Sequence, residues 1–165
     1  DYLREERPTM MQNNIRFHRI GRLANLPDEV IDEVNETLEM TRNTTGLNLV
    51  LALNYGSRAE ITDAVRTIAE KIKAGELDPA DVNEKTISDH LYTAGWPDPD
   101  LLIRTAGEMR VSNYLLWQIS YAELYVSDVL WPEFGVSEFH KALHAFSRRN
   151  RRFGALDHTN TLQNA

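Results

Sequence analysis

The sequence contains no cysteine. Disulfide scaffolds, thiolate zinc sites and cysteine nucleophiles are excluded, and a reducing compartment is the simpler setting. Glycine (8) and proline (6) are too few among 165 residues for a collagen-like or low-complexity chain. Positive charge is also short, with a formal net charge of −7 at pH 7. General binding to nucleic acid or to an anionic membrane wants a net basic face, so any anion site must be local. Long apolar runs are missing as well. The longest, Leu47 to Leu53, is broken by Asn48 and falls far short of the ~20 residues of a membrane helix. No secretory apolar segment follows the first residue, Asp1.

What is present fits a globular domain. Hydrophobic residues make up 42% and charged residues 26%, and a chain of this length buries roughly 70% of its unfolded surface. Leu3 to Met11 reads as the tail of a helix interrupted at Pro8, and Asn14 to Ile20 alternates with the period of a strand. Pro27, Asp28 and Glu29 mark a helix start, followed by Val30, Val34, Leu38 and Thr41 at helical spacing. Leu47 to Leu53 is a buried strand. Ile61, Ala64, Val65, Ile68, Ala69 and Ile72 then give an amphipathic helix that stops at Gly75. Further on, the pattern predicts a helix over Glu84 to Tyr92, a strand over Leu101 to Arg104 and a short helix over Tyr114 to Ser120. A last strand is expected over Glu123 to Val129. Phe139, Ala142, Leu143 and Phe146 mark the core side of a final helix, and residues 155–165 a frayed tail. Strands alternating with helices predict an α/β fold with a mainly parallel sheet, in a single domain.

The richest chemistry lies between Asp100 and Asn113, where an apolar strand runs into a loop with two arginines, two hydroxyls and a glycine. Ligands of open α/β sheets sit beyond the carboxyl ends of strands. Arg104 and Arg110 offer donor forks matched to phosphate oxygens, with Ser112 two residues on, on the same side if the segment is extended. Equally, the two arginines pair with Asp100 and Glu108 on the surface. Arg148, Arg149, Arg151 and Arg152 form a second cluster, explained either by the helix dipole or by a diphosphate. Glu123 stands among aromatics, where a carboxylate must be paired with a cation or bound to a metal such as Mg²⁺. His140 and His144 are one helical turn apart and can chelate a metal, but no Glu follows His140 as in a zinc protease. Flanked by Phe139 and Leu143, they also fit the side of a solvated helix. Walker loops, nucleophile elbows and dinucleotide fingerprints do not occur.

These blocks together resemble the cis-prenyltransferases, the isoprenyl transferases typified by undecaprenyl diphosphate synthase. The resemblance is carried by DLLIRTAGEMRVSNYLLWQ from Asp100, YAELYVSDVLWPEF from Tyr121, LALNYGSRAEI from Leu51, the Asn14-Ile15-Arg16 to Pro27 stretch and RRFG at Arg151 to Gly154. It spans residues 1–154, with the blocks in family order. It implies a Mg²⁺-dependent condensation of isopentenyl diphosphate with an allylic diphosphate such as farnesyl diphosphate. In that pattern Arg104, Arg110, Val111 and Ser112 hold the diphosphate of isopentenyl diphosphate. Glu123 is associated with Mg²⁺, while Arg152 with Gly154 reaches a partner's site across a homodimer. A cytoplasmic enzyme with transient contact at the inner membrane face is implied, and no nucleic-acid partner. Ala106 stands where serine or glycine is more usual.

The family's opening block, similar to MDGNGRWA and carrying the catalytic aspartate, and its FSxENW block occur nowhere in the chain. With Asp1 in place of Met, the expectation is an N-terminally truncated member. Its sheet would be incomplete on that side and its allylic site mostly missing, and by itself it would not turn over. The alternative is a non-catalytic partner subunit of a heteromeric cis-prenyltransferase, although retention of Arg104, Arg110, Ser112 and Glu123 speaks against a pure scaffold.

Overall fold

The structure, a computed structural model, describes residues 2–149. Its strands and helices fall into two compact units, Asp1–Trp96 and Pro97–Ala165.

In the first unit, helix α1 (Tyr2–Gln12) continues through Pro8, where the sequence predicts an interruption. A proline removes one backbone hydrogen bond from a helix, and here tertiary contacts outweigh that loss. Arg7, only 6% exposed, donates to Thr37 Oγ1 at 2.9 Å and to the carbonyl and Oε2 of Glu33 at 3.0 and 2.6 Å. It also pairs with Glu36 at 2.9 Å. These acceptors belong to α2 (Asp28–Thr41), which begins directly after Pro27, as expected. Thr37 and Thr41 are buried without cost to α2, since their hydroxyls donate one turn back, to Glu33 O at 2.7 Å and Thr37 O at 2.9 Å.

Strand β1 (Arg16–Ile20) pairs in parallel with β2 (Asn48–Ala52), Arg16 opposite Asn48 and Ile20 opposite Ala52. Phe17 of β1, 1% exposed, joins Met10 of α1 and Val34 of α2 in the core, with Leu3, Ile15, Leu38, Leu49, Leu51 and Leu53 around them. Val30, placed inward by the sequence pattern, is instead exposed. Gly21 ends β1 with φ +98°, and a Cβ there would lie 2.1 Å from the carbonyl oxygen of Leu53. Only glycine allows the two strand ends to come so close.

Helix α3 (Ser57–Lys73) buries Ala64 and Ile68 as predicted but leaves Val65 exposed. It also buries Glu60 completely. The Glu60 carboxylate accepts the Tyr55 hydroxyl at 2.5 Å and the Tyr92 backbone N–H at 2.8 Å. That second bond explains a difference from the sequence reading. Helix α4 covers only Glu84–Ser88, because His90 and Leu91 donate back to Ile87 and Ser88 in a tighter turn and Tyr92 donates to Glu60. The Tyr92 hydroxyl donates to Asp63, which also receives Arg22 at 2.9 and 2.7 Å and Arg66 at 2.8 Å. The Arg22 hydrogen bond, then that of Tyr92, lowers the Asp63 carboxyl from 3.8 to about 2.

In the second unit, β3 (Leu101–Arg104) pairs in parallel with β4 (Glu123–Val126), Leu101 opposite Glu123. The strand predicted to run to Val129 stops at Val126, because the carbonyls of Ser127 and Val129 accept loop amides, from Gly107 at 2.9 Å and Ala106 at 2.8 Å. No helix forms over Tyr114 to Ser120. Ser112, Asn113 and Leu115 hold φ of +46°, +60° and +46°, a left-handed backbone that a right-handed helix cannot contain. Helix α5 (Val136–Ser147) packs on β4 and buries Ala142 fully, whereas Phe139 and Leu143, expected in the core, are 45% and 41% exposed. The expected tail, residues 155–165, lies outside the described residues.

Two tests address the first unit. Phe17→Ala should destabilise the chain by about 3–5 kcal/mol, read as a fall in the denaturant midpoint; an unchanged midpoint would contradict the burial of Phe17. A carboxyl whose pKa is depressed in the folded state adds stability above its unfolded value and loses it as pH falls. Asp63 should thus contribute to stability above pH 3.8 and cease to as pH drops through about 2. Asp63→Asn should flatten stability against pH across that acid window and leave its shape near neutrality unchanged.

Candidate functional site

The connection from β3 to β4 carries the residues singled out by charge. β3 delivers Arg104 at its carboxyl end, and the chain then turns through Ala106 and Gly107, both at φ +64°. Glycine adopts that conformation freely, and a Cβ at Gly107 would meet Asp128 Oδ1 at an ordinary 3.4 Å. Alanine at 106 carries the strain of the left-handed region, about 1 kcal/mol or somewhat more. The hydrogen bond of Ala106 N–H to Val129 O helps hold it there.

Beyond this turn Glu108 stands between the two arginines and forms ion pairs with both Arg104 and Arg110. Hydrogen bonding from Arg104 is the main cause holding the Glu108 carboxyl below its ordinary range. Surface pairing, one of the two readings of these arginines, is therefore realised through Glu108. Arg104, Arg110 and Val111 also line one cavity of about 220 Å³, with Leu102, Ile103 and Tyr114. Ser112 does not line it, because its positive φ breaks the extended geometry that would set it on the same side as Arg110. Sequence reasoning missed Tyr114, whose phenol desolvation pushes above its ordinary 10.0. An aromatic four residues past Arg110 was the available signal.

Glu123 opens β4. Its N–H donates to Asp100 O at 2.9 Å, and its Oε2 accepts from Arg149 Nη1 at 2.6 Å. The carboxylate is thus partnered by a cation of the second arginine cluster. Arg152 and Gly154 lie outside the described residues. Among the described residues no three His, Asp or Glu side chains converge as a metal cluster, and no helix is long and apolar enough to cross a membrane. The Arg22–Asp63–Tyr92 and Tyr55–Glu60 contacts of the first unit were also missed. Arg22, Asp63 and Tyr92 lie far apart in sequence, Tyr55 and Glu60 only five residues apart across the turn into α3, and none of them stands in a charged run.

The fold is thus α/β with parallel strands, and its candidate site presents Arg104 at a strand's carboxyl end and Arg110 in the loop beyond, both on the Glu108 carboxylate. Residues 1–154 match the family described as "Putative undecaprenyl diphosphate synthase", and the chain belongs to that prenyltransferase family. It is 48% identical over 145 residues to the isoprenyl transferase of Porphyromonas gingivalis, covering 88% of this chain and 57% of that protein. With the isoprenyl transferase of Rhodopirellula baltica it shares 48% identity over 156 residues, covering 94% of this chain and 64% of the relative. Among solved structures, lavandulyl diphosphate synthase from Lavandula x intermedia, in complex with dimethylallyl diphosphate, superposes with a TM-score of 0.90 at 38% identity. That match covers 93% of this chain and 67% of the other. A Campylobacter jejuni protein described as a probable undecaprenyl diphosphate synthase gives 0.80 at 35% identity, covering 93% and 69%. The chain therefore spans roughly three-fifths of the length of the curated relatives it matches.

The cavity wall can be checked directly. Absorbance titration should find phenols that ionise above 10.0, among them Tyr114, and Tyr114→Phe should remove one such late step. If the variant instead loses a step at the ordinary value, Tyr114 is fully solvated.

Proposed function

We propose that the chain takes part in cis-prenyl chain elongation, in which isopentenyl diphosphate condenses with an allylic diphosphate such as farnesyl diphosphate. The observation that carries this reading is the carboxylate of Glu108 seated between Arg104 and Arg110. Two guanidinium forks already converge on one anion, beside a cavity walled by Leu102, Ile103, Val111 and Tyr114. A diphosphate that displaces Glu108 gains charge-assisted hydrogen bonds from both arginines, and its short apolar chain meets an apolar wall. Val111 lines the cavity beside that head group, whereas Ser112, which does not line it, would have to turn inward to join the diphosphate contacts. Family membership supplies the reaction class, and this chain's residues bind the homoallylic substrate and orient its alkene toward the allylic carbon.

Glu123 fits a hard cation in its chemistry: Mg²⁺ is commonly held by one or two carboxylates together with substrate phosphates. It would hold the ion once Arg149 turns from it toward phosphate, and bound Mg²⁺ would supply neutralisation of diphosphate charge. Arg152 and Gly154 are proposed to serve the partner's site in a homodimer, and residues 1–154 to be the C-terminal part of one cis-prenyltransferase-like domain. The proposed location is the cytoplasm, with transient contact at the inner membrane face. Because no residue of the sequence corresponds to the family's aspartate block, these 165 residues alone should bind isopentenyl diphosphate without elongating an allylic primer.

Calorimetry with isopentenyl diphosphate and Mg²⁺ tests this assignment. Arg104→Ala should weaken binding at least about tenfold, since a hydrogen bond to a charged group is worth about 1.5–3 kcal/mol. Equal binding by parent and variant would remove Arg104 from the site. Chain elongation by the 165-residue chain alone would overturn the inactivity.

A further inference from the structure

Neither the diphosphate site nor the core of α5 accounts for His140 and His144. We propose that this pair forms a binding site for a late first-row divalent metal ion, Cu²⁺, Ni²⁺ or Zn²⁺. The residues stand four apart on α5, which places both imidazoles on one face of the helix. Both are exposed, on an open face of α5 that they share with Ser137, Lys141 and Arg148. Among the described residues, neither ring has a hydrogen-bond or ion-pair partner, in contrast to His18 on Asn48 and His90 on Thr86. Two such imidazoles at helical i, i+4 spacing are a bidentate nitrogen donor, and imidazole suits copper, nickel and zinc.

The neighbouring charges decide what kind of site this is. Lys141 follows His140 where a zinc protease has its general base, so nothing here activates a metal-bound water for hydrolysis. Its ammonium is drawn to Glu138 at 2.5 Å, which offsets its repulsion of a dication. Arg148, one turn beyond His144, is a cation and not a third ligand. The ion therefore keeps open positions filled by water or by an anion that Arg148 can steady. This is an exchangeable binding site, with affinity rising toward copper in the order general for nitrogen donors.

Titrating NiCl₂ and CuCl₂ into the tag-free 165-residue chain should show one ion per chain, bound more tightly for Cu²⁺. The Cu²⁺ complex should give the electron paramagnetic signature of two imidazole nitrogens. His140→Ala and His144→Ala should each weaken binding by about 100-fold, the gain of a second ligand tethered beside the first. Alanine favours the helix, so far-ultraviolet circular dichroism should be unchanged. His144→Ala/Ala145→His should not restore affinity, because position 145 is 100° further round the helix, whereas His18→Ala should bind like the parent. Undiminished affinity in the His140→Ala/His144→Ala double variant, or full recovery with Ala145→His, would overturn the proposal.

Discussion

Two strands that run parallel cannot be joined by a tight turn, because the chain must travel back along the strand before it can pair again. In the second unit β3 leaves at Arg104 and β4 begins at Glu123, so residues 105–122 are free of the ladder's demands. They hold backbone that no strand or helix allows: left-handed at Ala106, Gly107, Ser112, Asn113 and Leu115. The connection is nevertheless tied down where it starts, by the amides of Ala106 and Gly107 on Val129 and Ser127. A long, locally strained and anchored loop beyond a strand's carboxyl end is where an α/β protein can collect cations at low cost to its core.

Charge shows how each cation is handled. The chain carries a net charge of −7, and several of its arginines meet carboxylates: Arg7 on Glu33 and Glu36, Arg22 on Asp63, Arg104 and Arg110 on Glu108, Arg149 on Glu123. The pairs serve different purposes. Arg7 is buried and saturated with acceptors on α2, and it holds α1 in place. Arg110 is largely exposed and shares a single carboxylate with Arg104, an arrangement that an incoming diphosphate can exchange without unfolding anything. The first pairing locks two helices together, and the second is the one proposed to exchange its carboxylate for a diphosphate.

Much of this was legible in the residues. Period-two alternation gave β1, proline with two acids gave the start of α2, and the strand–loop–arginine window gave Arg104 and Arg110. Order along the chain gave the family, which the match over residues 1–154 bears out. What failed did so where periodicity was outweighed. The break at Pro8 and the helix over Glu84 to Tyr92 were local readings of segments whose conformation is set by distant partners, and the helix over Tyr114 to Ser120 was read without the sign of the backbone angles. Arg7 reaches α2 and Glu60 takes the Tyr92 amide, while left-handed backbone at Ser112, Asn113 and Leu115 breaks the third segment into turns.

By itself, then, the sequence determined the α/β class, the main apolar faces and which charged residues stand beyond β3, since each depends on periodicity or on near neighbours. Tertiary structure alone decided which anion each arginine meets, that Ser112 turns away from the Arg104 and Arg110 cavity, and that Phe139 and Leu143 face outward. Those outcomes depend on distances between residues remote in sequence and on backbone signs that no composition or spacing encodes.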